Sequence, residues 1–450
     1  MKAFKAYDIR GIYGVDFDKE SVYKIGFFLP ALLKVNKILV GRDIRLSSDE
    51  IYNQLTKGIT DAGCDVYNLG LATTPMVYYF TAKHHYEASV QITASHNPKH
   101  YNGLKSSGLD AKPIGYDTGL KELEYKVENE EVCISKTKGK VVDLDVVNEY
   151  KDFLLSYRPN YDNLNLVIDC SNGMANLLVD SVLGNKIHYI NHELDGNFPS
   201  HEPNPLEQQN IVQLQNEVRS RDADVGVIFD GDADRVMFVD ENANFVSPDK
   251  IIALLGFYFA TSKNEKSKVL VDIRTSKSVT EFLQEKNYDV NIWKVGRAFA
   301  ALKLREIDGL FGGELAGHYY FKDFFYSDSG ILAAIIVLNI IANFKRKGFT
   351  FSQLMEQCSS YANSGEINYL VEDKIKTMEM VKDYFFNQES VKAFYDFDGY
   401  RLEFEQWWFN IRLSNTEPYL RLIVEAQTEK LLQEKLKILN QLIQSEYEKM

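Results

Sequence analysis

Three aspartates, Asp230, Asp232 and Asp234, alternate with small residues directly after the apolar run at residues 225–229. Carboxylates at every second position of an extended loop point the same way, and a hard divalent cation relieves their mutual repulsion. The spacing therefore predicts a site for Mg²⁺ or a similar oxygen-binding ion at the end of a buried strand. Arg235, the next residue, favours a phosphate ligand that bridges the metal and the guanidinium group.

Two other interpretations of this loop stay open. A solvated acidic turn is one. An EF-hand calcium loop is the other, because Glu241 stands twelfth from Asp230. Against the EF-hand, the sixth position holds Arg235 where that loop requires glycine, and residues 236–239 continue as a strand.

A serine is expected at a second strand end, in the segment TASHNP at residues 93–98. Pro98 prevents the preceding apolar strand from continuing and Asn97 favours a turn. Ser95 and His96 should therefore be displayed at the carboxyl end of the strand, where Ser95 is a candidate nucleophile. An ordinary serine-containing turn is the alternative. The absence of a GxSxG segment around Ser95 argues against a serine hydrolase.

Two further loops carry groups that suit a sugar phosphate. The segment GGELAGH at residues 312–318 places Glu314 and His318, which can bind hydroxyl groups, among glycines that let a ligand approach the backbone. The segment RLSNTEP at residues 412–418, followed by Arg421, offers guanidinium, hydroxyl and amide donors to a phosphate. A glycine-rich turn and a plain surface turn are the alternatives.

The elements that must position these loops follow an α/β pattern. Short apolar runs bounded by Gly, Asp or Asn alternate with stretches of helical period, which is typical of βαβ units around mostly parallel sheets. Such sheets bind ligands at the carboxyl ends of their strands. Changes in composition predict domain boundaries near residues 140, 246 and 356, and a long helix should begin at Ser329.

Composition excludes several classes of protein. The 450 residues include 51 Lys and Arg against 64 Asp and Glu, a net charge of −13 that argues against nucleic-acid and anionic-membrane partners. The longest apolar run, residues 331–338, is far shorter than the roughly 20 residues that a membrane span needs. The four cysteines lie too far apart for a CxxC pair, so we expect a cytoplasmic protein.

Ten motifs together resemble the α-D-phosphohexomutase superfamily, and within it the bacterial phosphomannomutase/phosphoglucomutase group. They span essentially the whole chain in the order YDIRG, GRD, TASHNPKHYNGLK, DCSNG, DGNFP, HEPNP, DGDADR, VDIR, GGELAGH and RLSNTEP. The resemblance implies an α/β fold with mixed, mostly parallel sheets in three units and a C-terminal α+β domain, all around a central cleft. The phosphoserine loop would then lie in a domain of residues 1–140 and the metal loop in a domain of residues 141–246. The sugar loop would lie in residues 247–356 and the phosphate loop in residues 357–450.

The resemblance also implies roles for individual residues. Ser95 would carry a phosphoryl group, with Mg²⁺ bound by Ser95, Asp230, Asp232 and Asp234. Other catalytic residues would be Arg10, His96 and Lys105, with either Lys105 or His96 as the general acid and base. The sugar would be bound by Arg235, Arg274, Gly296, Arg297, Glu314 and His318, and the phosphate that is not reacting by Arg412, Ser414, Asn415, Thr416 and Arg421.

The implied reaction passes through a bisphosphate. Phosphoserine would donate to a hexose phosphate, and the hexose 1,6-bisphosphate would turn over before returning its other phosphoryl group. We expect interconversion of mannose 6-phosphate and mannose 1-phosphate, and also of glucose phosphates, with Mg²⁺ as cofactor and hexose 1,6-bisphosphate as activator. The only expected partner is the phosphosugar, with a monomer or weak dimer as the assembly.

Two departures from the family pattern bear on sugar preference. Ala316 stands where the family commonly has serine, and Arg297 where it commonly has histidine. Asn415 is typical of the mannose and glucose mutases, whereas phosphoglucosamine mutases usually have glycine there. A phosphoglucosamine mutase, a non-catalytic phosphosugar-binding protein and a metal-dependent phosphatase are the alternative functions.

Overall fold

The computed structural model describes residues 1–157, 160–259, 266–358, 360–414 and 418–444. These residues form four β-sheets with helices packed around them, and we name the four domains by their sheets. In the first three sheets parallel and antiparallel strands are mixed, whereas the fourth is antiparallel throughout its described strands. The predicted fold class is confirmed.

The first domain contains β1 (Ile9–Ile12), α1 (Lys19–Leu33), β2 (Lys37–Arg42), α2 (Ser48–Asp61), β3 (Asp65–Leu71), α3 (Thr74–Lys83), β4 (Ala88–Ile92), β5 (Tyr101–Gly108), α4 (Leu120–Asn129) and β6 (Val141–Asp143). The sheet order is β1-β5-β4-β2-β3-β6, and β5 runs against its two neighbours. Because β6 pairs with β3, the first sheet continues beyond the boundary expected near residue 140.

The second domain contains α5 (Val147–Ser156), β7 (Leu166–Asp169), α6 (Val179–Val182), β8 (His188–Ile190), α7 (Gln208–Ser220), β9 (Val225–Phe229), β10 (Val236–Asp240) and β11 (Phe245–Val246). The sheet order is β11-β10-β9-β7-β8. All five residues of β9 are buried, as expected for a continuous apolar strand covered on both faces. Phe229 pairs with Val236, so the aspartate loop is the connection of a β-hairpin.

The third domain contains α8 (Pro248–Leu255), β12 (Ser267–Asp272), α9 (Lys277–Glu285), β13 (Tyr288–Trp293), α10 (Arg297–Glu306), β14 (Phe311–Gly313), β15 (Tyr319–Phe321), β16 (Ser327–Asp328), α11 (Gly330–Lys345) and α12 (Phe351–Glu356). The sheet order is β13-β12-β14-β15-β16. Gly313 pairs with Tyr319, so residues 314–318 form a second hairpin connection. The Ser329 hydroxyl caps α11, which confirms the predicted start of the long helix.

The fourth domain contains β17 (Ala362–Asn363), β18 (Ile367–Tyr369), α13 (Lys374–Gln388), β19 (Ala393–Tyr395), β20 (Tyr400–Glu403), β21 (Trp407–Leu413), β22 (Leu420–Ala426) and α14 (Glu429–Gln444). The sheet order is β17-β22-β21-β20-β19, and β18 also pairs with β22.

The hydrophobic interior consists of several buried clusters. One buried cluster runs through the first three domains, from Leu39 to Cys358, and fixes their sheets against one another. The fourth domain has a buried cluster of its own, built around Phe385 and Phe409. Among the helices that the structure describes, none has both the length and the apolar character to cross a membrane.

Candidate active site

Ser95 lies immediately beyond β4 in a loop packed against the second domain. Its side chain is buried, and its Oγ donates a hydrogen bond to Asp230 Oδ2 at 3.0 Å. The His96 Nδ1 atom lies 3.3 Å from the same Oγ. Ser95 has a φ of 52°, in the left-handed region that non-glycine residues rarely adopt. Such strain in a loop that other contacts hold in place is typical of a functional site.

Arg45 holds the serine loop in this conformation. Its guanidinium group, fully buried, donates to four carbonyl oxygens of the loop, those of Ser95, Asn97, Pro98 and Tyr101, at 2.6 to 3.1 Å. Any residue type supplies a backbone carbonyl, so no sequence signal marks Arg45 as a residue of the site. The structure makes it a positioning residue for Ser95.

The three aspartates of the hairpin connection are completely buried, and their carboxylate oxygens approach within 4.8 Å of one another. Lys105, on β5, donates to Asp232 Oδ2 at 2.7 Å and to Asp234 Oδ2 at 2.5 Å. Thr74, the first residue of α3, also donates its hydroxyl to Asp232. A threonine and a lysine of the first domain are therefore joined to the aspartate loop of the second.

The pKa values in this cluster follow from burial and charge. Burial, followed by Asp234 and Asp232, raises the pKa of Asp230 well above its ordinary value. Burial opposes the charged form of Lys105, but Asp232 and Asp234 outweigh it and raise the pKa of Lys105. Burial and the surrounding cations lower the pKa of His96 well below its ordinary value. Lys105 is therefore cationic and His96 neutral near neutral pH.

The aspartate cluster suits a magnesium ion. Asp232 Oδ1 and Asp234 Oδ1 are buried and accept no hydrogen bond from the residues that the structure describes. A buried carboxylate oxygen without a partner is costly, and coordination to a hard cation removes that cost. Asp230, Asp232 and Asp234 could therefore hold Mg²⁺, with the Ser95 hydroxyl beside them.

Gly231 lets the serine loop approach the aspartate loop. A Cβ atom at this position would lie 2.5 Å from the Ser95 carbonyl oxygen, closer than any real Cβ contact. The DGD sequence therefore has a steric reason for its glycine. The close contact between the two backbones is what places Ser95 beside the carboxylates.

A chain of polar contacts connects the aspartate loop to the third domain. Arg235 Nε donates to His318 Nε2 at 3.0 Å, and His318 Nδ1 contacts Asp328 Oδ2 at 2.6 Å. Because Nε2 accepts, the proton of a neutral His318 lies on Nδ1 and is donated to Asp328. Asp328 also accepts from Arg297 Nε at 3.2 Å. Asp328 lies in a short strand outside every recognised motif, so no sequence signal marks it as a site residue.

Glu314 is fixed at both carboxylate oxygens. One accepts from the Gly296 N–H at 2.5 Å, and the other accepts from the Tyr320 hydroxyl at 2.6 Å. The neighbouring Arg297 guanidinium stacks on the Tyr78 ring at 3.7 Å from its centre. These contacts hold the two predicted sugar-binding side chains rigidly at the cleft.

A cavity lies between the first three domains. It brings together most of the residues predicted for the reacting end of the substrate, namely Arg10, Ser95, Lys105, Asp234, Arg235, Gly296, Arg297, Glu314 and His318. Arg10 is held there by a 2.9 Å hydrogen bond to Asn97 and by an ion pair with Asp8. Ala316 lines the same cavity and offers no side-chain hydrogen bond.

The other predicted arginines form a second cluster at the interface of the third and fourth domains. Arg274, Arg412 and Arg421 all direct a guanidinium nitrogen at the carboxylate of Glu366. Ser414 lies beside them at the end of β21, where its N–H donates to the Tyr419 carbonyl. The predicted phosphate-binding residues Asn415 and Thr416 lie outside the described residues.

Comparison with known proteins agrees with this fold. Four family models match, described as phosphoglucomutase/phosphomannomutase alpha/beta/alpha domains I, II and III and the C-terminal domain, over residues 1–132, 148–243, 247–361 and 366–437. A phosphomannomutase of Vibrio cholerae is 35% identical, and one of Methanocaldococcus jannaschii is 34% identical, each match covering 98% of both chains. A crystal structure of a family protein from Burkholderia thailandensis superimposes with a TM-score of 0.88 at 25% identity, covering 100% of this chain and 98% of that one.

The fold and the buried serine, aspartate and arginine sites thus define a phosphoryl-transfer enzyme built on four domains. The chain belongs to the phosphoglucomutase/phosphomannomutase family. It is an isomerase that transfers a phosphoryl group within a hexose phosphate. The resemblance stated from the motifs is confirmed.

Proposed function

We propose that the protein is a Mg²⁺-dependent phosphomannomutase that interconverts mannose 6-phosphate and mannose 1-phosphate and also accepts glucose phosphates. The observation that carries the proposal is the 3.0 Å contact between Ser95 Oγ and Asp230 within a cluster of three buried carboxylates. The full-length relatives named phosphomannomutase support mannose as the sugar. Ser95 would carry the phosphoryl group, and a hexose 1,6-bisphosphate would be the intermediate and the activator.

The residues around Ser95 supply positioning and charge, which are the main requirements of phosphoryl transfer. Mg²⁺ bound by Asp230, Asp232 and Asp234 would neutralise charge on the transferring phosphoryl oxygens. Lys105 stays cationic and lines the same cavity, so it is suited to bind those oxygens. His96 is kept neutral beside Ser95 Oγ, so it is suited to accept the proton of the sugar hydroxyl group that receives the phosphoryl group.

Two regions would bind the anionic groups of the substrate, namely the cavity beside Ser95 and the cluster of Arg274, Arg412 and Arg421. Together they suit a substrate that reacts at either end. A hexose phosphate at the cavity would present one hydroxyl or phosphate to Ser95. Its other phosphate would lie at Arg274, Arg412 and Arg421. Glu314 would bind sugar hydroxyl groups in both orientations, because its own position is fixed by contacts outside the ligand. One distal site can thus serve both half-reactions of a bisphosphate that turns over.

The test measures turnover of mannose 1-phosphate, glucose 1-phosphate and glucosamine 1-phosphate with Mg²⁺ and a trace of hexose 1,6-bisphosphate. Ser95→Ala should abolish turnover, because the phosphoryl carrier is lost. Ser89→Ala is the matched control, since Ser89 is an equally buried serine on β4 whose hydroxyl has no partner in the described chain. This control should keep wild-type turnover.

Each alternative function predicts a different outcome of the same assay. Fastest turnover of glucosamine 1-phosphate would identify a phosphoglucosamine mutase. Steady release of inorganic phosphate without isomerisation would identify a phosphatase. Tight binding of sugar phosphates without turnover, despite phosphorylated Ser95, would identify a binding protein.

A further inference from the structure

Glu366 lies at the centre of the arginine cluster and has no role in the family resemblance. Its carboxylate contacts Arg421 Nη1 at 2.9 Å, Arg412 Nη2 at 3.1 Å and Arg274 Nη1 at 3.6 Å. The glutamate precedes β18 in the fourth domain, whereas Arg274 follows β12 in the third. One carboxylate therefore joins three guanidinium groups from two domains.

The sheet register explains why a carboxylate is needed there. Arg412 on β21 lies directly opposite Arg421 on β22, and Arg421 also pairs with Asn368 on β18, two residues after Glu366. Like charges opposite each other across a sheet are destabilising. Burial, followed by the neighbouring Arg274, lowers the pKa of Arg412, a further sign of crowded positive charge. The three arginines lower the pKa of Glu366 despite its burial, so the carboxylate stays ionised.

We propose that Glu366 competes with the substrate phosphate for these three arginines and thereby limits how tightly the distal phosphate is held. The inference rests on the proposed function, which assigns the arginines to the phosphate that is not reacting. A phosphate monoester and a carboxylate offer the same guanidinium groups similar oxygen acceptors. Glu366 contacts one nitrogen of each guanidinium group, so a phosphate oxygen that binds at these nitrogens must share or replace a contact that Glu366 already makes.

Limited affinity at this site has a purpose in a mutase. The bisphosphate has to leave the arginines, reverse its orientation and bind again before the second phosphoryl transfer. Affinity that holds the intermediate as tightly as the transition state does not speed the reaction and slows release. A built-in carboxylate weakens the site for phosphate while it keeps the arginines in place.

Glu366→Gln tests the competition, because it removes the negative charge and preserves the size of the side chain. The cluster then loses the one carboxylate that contacts all three guanidinium groups, while Asp272 still pairs with Arg274 at 2.7 Å. We expect the dissociation constants of inorganic phosphate and mannose 1-phosphate to fall about tenfold. The KM and kcat should both fall, with a smaller change in kcat/KM, because release becomes slower.

Two further variants show whether tighter phosphate binding is specific to the loss of the Glu366 charge or follows from the loss of any carboxylate in the domain. Glu403→Gln makes the same charge change in the same domain, at a carboxylate that pairs with the buried Arg401 at 2.8 Å instead of with the cluster. It should leave phosphate affinity unchanged. Glu366→Asp shortens the side chain by one methylene group and lengthens its contacts, so it should tighten phosphate binding by a smaller factor than Glu366→Gln. It also provides the test if the amide variant does not fold.

Binding is measured by calorimetric titration of inorganic phosphate and mannose 1-phosphate into each variant combined with Ser95→Ala, so that turnover is not required. Tighter binding in the two Glu366 variants and not in Glu403→Gln supports the proposal. Unchanged or weaker binding in folded Glu366 variants overturns it. If the wild-type chain shows no mutase turnover while the Glu366 variants still bind phosphate more tightly, the proposed function fails and the competition stands.

Discussion

Replacing Arg45 by lysine should loosen the serine loop, so that Ser95 is no longer held in its catalytic position. The positive charge is kept. Arg45 Nη1 donates to the carbonyl oxygens of Pro98 and Tyr101, and Nη2 to those of Ser95 and Asn97. A lysine presents one nitrogen where arginine presents two. It can therefore reach the carbonyl groups of one pair and leaves the other two without a donor.

The size of the effect follows from these lost contacts. A hydrogen bond to a charged group contributes about 1.5–3 kcal/mol, so losing two weakens the loop conformation by about 3–6 kcal/mol. Ser95 is held in left-handed backbone geometry, which a loosened loop would leave. A shift of about 1 Å in a reacting group can cost about 100-fold in rate, so we expect kcat to fall about 100-fold. The KM should change little, because the distal arginines are untouched.

Steady-state kinetics and circular dichroism of Arg45→Lys provide the assay. Arg42→Lys is the matched control: Arg42 lies three residues before Arg45 and pairs with the exposed Asp49, a surface ion pair worth about 0–1 kcal/mol. It should retain wild-type kcat. A kcat near the wild-type value in Arg45→Lys, or a loss fully explained by global unfolding, would refute the assignment of Arg45 as a positioning residue.

Three further outcomes are expected. Gly231→Ala should reduce kcat at least about tenfold, since the new Cβ must displace Ser95; Gly108→Ala, with open space around it, is the kinetic control. EDTA should abolish turnover and excess Mg²⁺ should restore it, as followed in the coupled mutase assay. His201→Asn should lower the melting temperature more at pH 6 than at pH 9, because Asp169 outweighs burial and raises the His201 pKa.

The sign of the histidine effect comes from linkage. A raised folded-state pKa means that protonation of His201 stabilises the fold fully below the ordinary value of 6.5, and that this contribution is lost as the pH rises through the folded-state pKa. An equal loss at both pH values would contradict it. For the other two tests, full activity of Gly231→Ala or turnover that persists after chelation would contradict the steric and metal arguments.

Much of the fold was readable from local patterns. The buried strand β9 is a continuous apolar run, and the loop after it must lie at a strand end, so Asp230, Asp232 and Asp234 could be assigned to one site. The same reasoning located Ser95 beyond β4. The two loops meet where Gly231 fits against the Ser95 carbonyl group. This contact depends on how two domains pack, so no local sequence pattern predicts it.

The residues that escaped the sequence analysis act through distant partners. Arg45 binds backbone carbonyls 50 to 56 positions away, and any residue type supplies a carbonyl. Glu366 meets Arg412 and Arg274 only because three segments from two domains converge. A lone glutamate in a loop is indistinguishable from a solvated surface residue until that convergence is known.

The separate hydrophobic core of the fourth domain bears on how the molecule unfolds. That domain is attached partly through the buried Arg401, which donates to the carbonyl oxygens of Ile273 and Thr275 at 2.8 Å each. A unit with its own core can open while the rest stays folded. Calorimetry should therefore show two melting transitions, and hydrogen exchange should report one cooperative block beyond residue 360. In the proposed binding mode a sugar phosphate would span the third and fourth domains and stabilise their association by mass action, so it should raise the earlier transition and bring the two closer together.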